Sequence, residues 1–566
     1  MTLIKKIIPL IFIALVSFSC QESKKEKKEL IAQLDSIMTS AYKPDEPGAS
    51  VLVFKEGEIL LKKGYGLANL EMKVPINPKS VFNIGSITKQ FTAQAILLLG
   101  EQGKLSLTDP IQKYLPDYPH ADKKITIENL LTHTSGIIDV FEVSQWFSMW
   151  EKELTPQQFV DVFKDIPLLS EPGTQYHYSN VNYGILGLII ENISGESHKD
   201  FLIENFFKPI GMNNTYILKN NDKIENTAMG YFKANESIEN APTINYSHLL
   251  AAGSIWSCTD DMVKWYEWLS EKYKSNDPKI KKALTRYILA DGSETNNGYG
   301  MMLYLLQGCP VAGNNGSMLG YTNYTLWLYE DDIVVVLLSN YRYEGTDPDL
   351  TAAYDVTARA KKLAETVMGK TSVTANFITL PENELDKYTG VYKIEENAFR
   401  IITRKGNQLY SKRSGSSKKA MNPITQTLFQ TTDGSNIEFV FNEKGEAVEA
   451  NWRQPDGTLS IAQRTDIPLP EEKKPVVITD DEYKAVCGLY KMMVVFNVNV
   501  YMNDRNSIIV ESKQRGKSVF YPESPTKFFL KDDDDIVIDF LKNKQGVVNE
   551  FKMTTGGRTF SAKKAD

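Results

Sequence analysis

Residues 82–89 read Phe-Asn-Ile-Gly-Ser-Ile-Thr-Lys, and an apolar run from Phe91 to Leu99 follows them. Such a run is typical of a buried helix, and residues three apart on a helix share a face. Ser86 and Lys89 therefore have the spacing that lets a hydroxyl and an amine meet one turn apart. A lysine in a partly dry pocket loses affinity for its proton and acts as a base, which activates a neighbouring serine as a nucleophile.

Other Ser-x-x-Lys spacings occur in the chain, so this tetrad depends on its context. Only Ser86 stands between a strand-like segment, residues 80–83, and a long apolar helix. Three of the other four lie in a loop rich in Ser, Lys and Gly, in the C-terminal tail, and immediately before a proline. The four spacings are Ser40–Lys43, Ser416–Lys419, Ser524–Lys527 and Ser561–Lys564.

Length, composition and charge narrow the classes of protein. At 566 residues the chain is too long for one core, and its 42% hydrophobic and 24% charged residues are typical of globular domains. A net charge of −7 argues against nucleic-acid binding. None of the five histidines has metal-ligand spacing, so we expect neither a metal site nor a cofactor.

The N-terminal residues predict export. A basic segment precedes an apolar run, residues 7–18, that is too short to span a bilayer comfortably. Residues 17–20, Ser-Phe-Ser-Cys, then resemble a bacterial lipobox, which would make Cys20 the lipidated first residue. We therefore expect a lipoprotein signal peptide over 1–20, a tether over 21–29, and an anchor in a bacterial membrane facing the periplasm or the cell surface. An ordinary secretory signal is the alternative.

Three further cysteines remain, and an odd number argues against a disulfide framework. A bridge between Cys258 and Cys309 is compatible with the sequence, but buried free thiols are the favoured interpretation for these two residues and for Cys487.

The patterns of strands and helices divide the chain into one large α+β domain and two small β units. Strand patterns at both ends of the first domain enclose a helix-rich region, which predicts an antiparallel sheet built from both ends, plus a helical subdomain. Helices are predicted over Leu30–Tyr42 and Thr351–Val367. The predicted boundaries are 30–370 for the α+β domain, 371–382 for a linker, 383–466 for the first β unit, 467–479 for a second linker and 480–566 for the second β unit.

The two β units repeat each other. Tyr-Thr-Gly-Val-Tyr-Lys at residues 388–393 recurs 98 residues later as Val-Cys-Gly-Leu-Tyr-Lys at residues 486–491. Each unit has short alternating strands and turn residues, and each is long enough to close a small barrel.

Two further motifs follow the tetrad in the chain. Tyr178-Ser179-Asn180 precedes an apolar helix, and Gly-Asn-Asn-Gly-Ser at 313–317 is predicted to lie between strands. With the tetrad, these motifs resemble the serine β-lactamase and penicillin-binding-protein superfamily, on its class C side with the related esterases and D-amino-acid peptidases. The resemblance covers roughly residues 30–369, including the segments 130–136 and 172–174. The β units resemble lipocalin-like domains.

This resemblance implies a role for each motif. Ser86 would attack an acyl carbon and become acylated, while Lys89 and Tyr178 would serve as bases for acylation and deacylation. The backbone N–H groups of Ser86 and Ser317 would form an oxyanion hole. The implied substrate-binding residues are Asn180, which would also orient Lys89, together with Asn314, Gly316 and Ser317.

Asn314 departs from the family pattern, in which the third motif starts with Lys or His. Asparagine forms hydrogen bonds but carries no charge, so it cannot help to hold Tyr178 as an anion or bind a substrate carboxylate. Esterase or amidase action on substrates without a carboxylate is therefore more expected than β-lactamase or carboxypeptidase activity.

Two functions of different classes remain open. The first is a serine hydrolase that acts outside the cytoplasm on an ester, amide, D-peptide or β-lactam through a Ser86 acyl-enzyme. The second is a binding or sensor protein on the same fold, which engages cell-wall fragments or another partner. A Ser-His-Asp triad is not expected, because the chain contains no Gly-x-Ser-x-Gly elbow. His133 is predicted to be a structural hydrogen-bonding residue.

Overall fold

The computed structural model describes residues 25–565 with several internal exceptions. Cys20, the predicted signal peptide and the start of the tether lie outside the described residues. The internal exceptions are residues 144–145, 147–148, 221, 235–236, 243, 344–354, 370–376, 396–397, 414–417, 432–434, 454–458, 471–472, 493–495, 505, 513–515, 531–535 and 556–557.

A six-stranded antiparallel sheet forms the centre of the α+β domain, which confirms the predicted fold class. The sheet is built from both ends of the domain, because Ala49–Lys55 pairs along its whole length with Ile333–Ser339. Across the sheet the strands lie in the order Met302–Leu306, Cys309–Met318, Tyr321–Leu328, Ile333–Ser339, Ala49–Lys55 and Glu58–Tyr65.

Helices cover both faces of this sheet. Successive side chains of a strand point to opposite faces, so neighbouring residues contact different helices. Val51 packs in one core with the helices 25–39 and Val356–Val367, whereas Leu52 packs in the larger core with the helical subdomain. The first helix ends at residue 39 rather than at the predicted Tyr42. Each face of the sheet thus supports its own hydrophobic core.

The helical subdomain follows the serine motif. Its α-helices are Ile127–Leu131, Pro156–Phe163, Asn180–Ser194, His198–Leu202, Lys208–Ile210, Leu250–Gly253, Thr259–Lys274 and Pro278–Ala283. Single turns of 3-10 helix lie at Ile111–Lys113, Ala121–Lys123, Val140–Glu142 and Tyr246–His248, and a π-helical turn lies at Ile203–Phe207. Short strands lie at Leu67–Asn69, Val74–Pro75, Phe82–Asn83, Tyr216–Ile217, Tyr231–Ala234, Ser237–Asn240, Ile255–Ser257 and Tyr341–Tyr343. No helix in the described part of the chain is long and apolar enough to cross a membrane.

Ser86 lies in one turn of 3-10 helix, Gly85–Ile87, that runs directly into the α-helix Thr88–Glu101. That helix is buried along almost its whole length, as its apolar sequence predicts. Because the 3-10 turn and the α-helix are continuous, Ser86 and Lys89 share one face, as the three-residue spacing requires.

The third motif lies inside a strand, so the prediction that it falls between strands is wrong. It belongs to Cys309–Met318, which stays paired with Tyr321–Leu328 as far as Met318. Glycine and asparagine favour turns locally, but pairing with a buried neighbouring strand overrides that preference here. The strand on the other side pairs only as far as Gly313, so residues 314–318 form a sheet edge on that side.

Both predicted β units are closed eight-stranded barrels. The first barrel follows a short helix, Glu382–Leu385, and the second follows Asp480–Val486. The strands of the first barrel are Gly390–Glu395, Ala398–Lys405, Gln408–Arg413, Lys419–Pro423, Leu428–Thr431, Asn436–Phe441, Ala447–Arg453 and Leu459–Arg464. Those of the second barrel are Gly488–Met492, Phe496–Asp504, Ser507–Ser512, Gly516–Ser524, Lys527–Leu530, Val537–Lys542, Val548–Thr555 and Arg558–Lys564.

The same tyrosine hydrogen bond recurs at the start of both barrels. The Tyr392 hydroxyl donates to the carbonyl of Tyr388 at 2.8 Å, and the Tyr490 hydroxyl donates to the carbonyl of Val486 at 2.8 Å. Both tyrosine rings are fully buried. The bond ties the first strand of each barrel to the residues immediately before it.

Candidate active site

The fold brings three polar side chains of distant sequence origin to one point. The Ser86 Oγ lies 2.9 Å from the Tyr178 hydroxyl and 3.1 Å from the Lys89 Nζ. Tyr178 reaches this point because it immediately precedes the helix Asn180–Ser194, which packs against the helix that carries Lys89. The hydroxyl, the amine and the phenol are therefore close enough to exchange a proton.

Lys89 is the most unusual group in the site, since only 2% of its surface is exposed. Its Nζ donates to the Ser86 Oγ, to the Asn180 Oδ1 at 2.9 Å and to the Ala252 carbonyl at 2.8 Å. Burial lowers the pKa of Lys89 to about 7, while the negative charge of Asp139 acts in the opposite direction. A substantial fraction of Lys89 is therefore neutral at neutral pH and able to accept a proton.

Asp139 contacts the site through Asn180, and the sequence analysis did not identify it. Its Oδ1 accepts hydrogen bonds from the backbone N–H of Asn180 at 2.6 Å and from the Asn180 Nδ2 at 3.0 Å. These bonds fix the amide so that its oxygen faces Lys89. Burial raises the pKa of Asp139, and the hydrogen bonds from Asn180 oppose that effect. The available signal was a single carboxylate in the apolar stretch 137–141.

Two glycines let the third-motif strand approach the serine turn closely. A Cβ on Gly85, whose φ is +54°, would come within 2.9 Å of the backbone nitrogen of Ser317. A Cβ on Gly316 would come within 2.0 Å of the Ile84 carbonyl oxygen. Only glycine fits at either position, and the result is that the backbone at Ser317 lies against the turn that carries Ser86.

Asn314 and Arg342 form hydrogen bonds with different parts of the site. The Asn314 Nδ2 donates to the Gly300 carbonyl at 2.5 Å and lies 3.3 Å from the Ser86 carbonyl oxygen, so it braces the serine turn. The Arg342 guanidinium donates to the Ser317 Oγ at 3.0 Å and lines the same cavity. Arg342 therefore supplies positive charge at the rim of the site, a feature that the sequence motifs did not reveal.

The two histidines near the site have hydrogen-bond partners other than Ser86. The Nδ1 of His133 accepts a hydrogen bond from the backbone N–H of Ser179 at 3.2 Å, and its ring packs on that of Tyr178. Burial lowers the pKa of His133 well below its ordinary value, so the ring is neutral. His177 lies 2.8 Å from the Glu142 carboxylate instead. His133 thus positions the segment that carries Tyr178.

A cavity of about 890 Å³ opens from Ser86. Aromatic rings form one wall of its α+β part, from Phe141, Trp146, Trp150 and Tyr176. Among the described residues, no three His, Cys, Asp or Glu side chains cluster as metal ligands would. The hydroxyl, the amine and the phenol that meet at Ser86 together suit nucleophilic attack on an acyl carbon.

An α+β sheet flanked by helices, with a serine, a lysine and a tyrosine that meet at one point, is typical of the β-lactamase and transpeptidase fold. A family model described as Beta-lactamase matches residues 30–359. The chain belongs to that family of serine hydrolases.

Two curated relatives and one solved structure illustrate the relationship. The chain is 30% identical over 321 residues to protein flp of Staphylococcus aureus strain MRSA252, a match over 55% of this chain and 63% of flp. It is 32% identical over 326 residues to the putative penicillin-binding protein PbpX of Bacillus subtilis strain 168, over 56% of this chain and 78% of PbpX. The octameric penicillin-binding-protein homologue from Pyrococcus abyssi has a TM-score of 0.54 at 24% identity, over 77% of this chain and 99% of its own.

Proposed function

We propose that this protein is a serine hydrolase that cleaves an ester or amide through an acyl-enzyme on Ser86. The observation that carries the proposal is the convergence of the Tyr178 hydroxyl and the Lys89 Nζ on the Ser86 Oγ, at 2.9 and 3.1 Å. A hydroxyl that touches both a phenol and a partly neutral amine is an activated nucleophile. The binding or sensor alternative has no comparable observation in its favour.

The first half of the proposed reaction acylates the serine. The neutral amine of Lys89 takes up the Ser86 proton, directly or through the Tyr178 hydroxyl, as the Oγ attacks the carbonyl carbon. The oxygen of the tetrahedral intermediate accepts hydrogen bonds from the backbone N–H groups of Ser86 and Ser317. The carbon–oxygen or carbon–nitrogen bond then breaks, and the proton passes to the leaving alcohol or amine.

The second half releases the acyl group. Tyr178 accepts a proton from a water molecule that attacks the acyl carbon, and it passes its own hydroxyl proton to the neutral amine of Lys89. The bond to the Ser86 Oγ breaks, the proton returns to that oxygen, and a carboxylic acid leaves. The sum of both halves is one ester or amide plus one water giving an acid and an alcohol or amine.

Charge at the rim bears on the choice of substrate. Asn314 donates to backbone carbonyls of the protein, and the Arg342 guanidinium lies beside Ser317 at 3.0 Å from its Oγ. A substrate carboxylate would therefore be recognised by Arg342 and not by the third motif itself. Esters, amides, D-peptides and β-lactams all remain candidates in this proposal.

The cellular location is proposed from the sequence alone. The basic and apolar N-terminal segments and the lipobox-like residues 17–20 support export and a lipid anchor on Cys20. We therefore expect the substrate, a small molecule or a peptide, to lie outside the cytoplasm.

Labelling of the nucleophile tests the proposed chemistry. We expect a fluorophosphonate probe to label the native chain and the Ser86→Ala variant to lose all labelling, with a fluorescent penicillin as a second probe. Ser524→Ala is a matched control, because Ser524 also stands three residues before a lysine but lies in the second barrel. Equal labelling of the Ser86→Ala and native proteins, or no labelling by either probe, would overturn the proposal.

A further inference from the structure

The cavity that starts at Ser86 does not end in the α+β domain. It continues into the interior of the second barrel, so that one continuous cavity of about 890 Å³ joins the candidate nucleophile to the barrel lumen. The barrel side chains that line it are mainly apolar. They include Val498, Val510, Phe520, Leu530, Ile536 and Met553.

The second barrel is seated directly on the wall of the site. Its last strand, Arg558–Lys564, packs against the 3-10 turn Val140–Glu142, which carries cavity-lining residues of the α+β domain. The helix Asp480–Val486 contributes Tyr483 and Val486, both fully buried, to the hydrophobic core of this barrel. The lumen of this barrel is therefore continuous with the cavity that contains Ser86.

The first barrel provides a comparison for what this lumen contains. Strand pairing places Arg400 opposite Arg413 in the first barrel and Val498 opposite Ser512 in the second, so Arg400 and Val498 occupy equivalent positions. Ser411 corresponds in the same way to Val510. Polar residues of one lumen are thus replaced by aliphatic residues in the other.

The replacement continues on the later strands. Thr431 pairs with Met421 in the first barrel as Leu530 pairs with Phe520 in the second. Ser435 and Ile536 are equivalent too, since their carbonyls accept the backbone N–H of Thr431 and Leu530 respectively. No charged side chain of the second barrel lines the cavity within the described ranges. A lumen of this composition suits a hydrocarbon chain and excludes a charged group.

We propose that the second barrel binds the apolar tail of the substrate while the scissile carbonyl lies at Ser86. The tail is a linear hydrocarbon chain, attached either to the acyl carbon or to the leaving alcohol. This inference rests on the proposed hydrolase function and names the substrate class that the same site takes. Each methylene that leaves water contributes up to about a fourfold gain in binding, so chain length is the variable that the lumen measures.

Chain-length kinetics tests the proposal. We expect kcat/KM for p-nitrophenyl octanoate to exceed that for p-nitrophenyl acetate by at least about tenfold. A second series, octyl acetate against ethyl acetate, distinguishes a tail on the alcohol side from one on the acyl side. Ser86-dependent hydrolysis with no preference in either series would overturn the tail site and leave the hydrolase proposal standing.

Variants that copy the first barrel sharpen the test. Val498→Arg introduces the residue that stands at the equivalent position of the first barrel, and we expect it to reduce the octanoate-to-acetate ratio to about one. Leu530→Thr introduces the smaller polar change found at Thr431 of the first barrel, and we expect it to lower the octanoate-to-acetate ratio severalfold. This second variant keeps the test informative if Val498→Arg does not fold. The matched control is Asn499→Arg, one residue away on the exposed face of the same strand, for which the native ratio is expected.

A binding measurement separates the two proposals. The fluorescent fatty acid 11-(dansylamino)undecanoic acid is titrated into the Ser86→Ala protein, which cannot form the proposed acyl-enzyme. We expect saturable binding that the added Val498→Arg substitution weakens at least tenfold. Binding of this kind without any Ser86-dependent hydrolysis would support the tail site and overturn the hydrolase, whereas hydrolysis without binding or chain-length preference would do the reverse.

Discussion

The two barrels have the same topology and the same buried tyrosine hydrogen bond, but their interiors differ. In the first barrel the Arg400 guanidinium lies 3.4 Å from the centre of the Trp452 ring and donates to the Ser411 Oγ at 3.2 Å. In the second barrel, Val498 stands at the equivalent position and lines an open cavity. A few side chains thus decide whether equivalent positions of one backbone hold a buried charge packed on an aromatic ring or the apolar wall of a cavity.

Physical chemistry accounts for both interiors. A buried guanidinium is tolerated only where an aromatic face and hydrogen-bond acceptors replace its water, so the residues around Arg400 must be polar or aromatic. The mainly apolar lumen of the second barrel has no such requirement, and its polar lining side chains are the uncharged Ser512 and Ser518 within the described residues. The first lumen therefore stabilises its own barrel, whereas the second provides apolar surface that a substrate can cover.

The largest expected effect is the pH dependence of kcat/KM. It tests whether only residues of the α+β domain take part in proton transfer. Because the pKa of Lys89 is lowered to about 7, its neutral form gains population as pH rises to that value and is nearly complete above it. We expect kcat/KM to rise about a hundredfold between pH 5 and pH 8, with the same midpoint for acetate and octanoate esters. The measurement is a pH profile of kcat/KM for both esters.

Asp139→Asn provides the control for that profile. The substitution keeps a side-chain oxygen for Asn180 and removes the negative charge that favours protonated Lys89, so the midpoint is expected at lower pH. Midpoints that differ between the two esters would mean that the second barrel takes part in proton transfer, and the division between chemistry and tail binding would then be wrong.

The next effect concerns the buried Arg400 in the first barrel. Arg400→Val copies the second barrel, removing the contact with Trp452 and the hydrogen bond to Ser411, and we expect a loss of about 1–3 kcal/mol in the local free energy of unfolding. Hydrogen exchange of first-barrel peptides measures it. Arg413→Val, at the exposed end of the neighbouring strand, should change that free energy by less than about 0.5 kcal/mol. Equal protection in the Arg400→Val and native proteins would show that the guanidinium contributes nothing to the barrel.

The smallest effect concerns what the barrels share. Tyr392→Phe and Tyr490→Phe each remove one buried hydrogen bond of 2.8 Å, and each is expected to lower the local free energy of unfolding of its barrel by about 1 kcal/mol. Hydrogen exchange of both barrels in both variants makes the comparison. Markedly unequal losses would contradict the view that the two barrels differ only in their interiors.

Local sequence patterns determined much of this protein. The spacing of Ser86 and Lys89 and the apolar run after them predicted a buried helix with both groups on one face, because helical periodicity is a property of neighbouring residues. The repeat of residues 388–393 at 486–491 predicted two similar barrels, because similar sequences with the same pattern of strands and turns fold alike. The prediction failed at Gly313–Ser317, where turn-forming residues continue a strand because a neighbouring strand supplies the pairing.

Only the tertiary structure decided which groups meet. Asp139 and Arg342 belong to no motif, and they enter the site because the folded chain places them beside Asn180 and Ser317. The lowered pKa of Lys89 depends on burial by several separate segments. The contact between the second barrel and the site was also decided by the tertiary structure. Contacts between residues hundreds of positions apart depend on packing and not on local sequence preference.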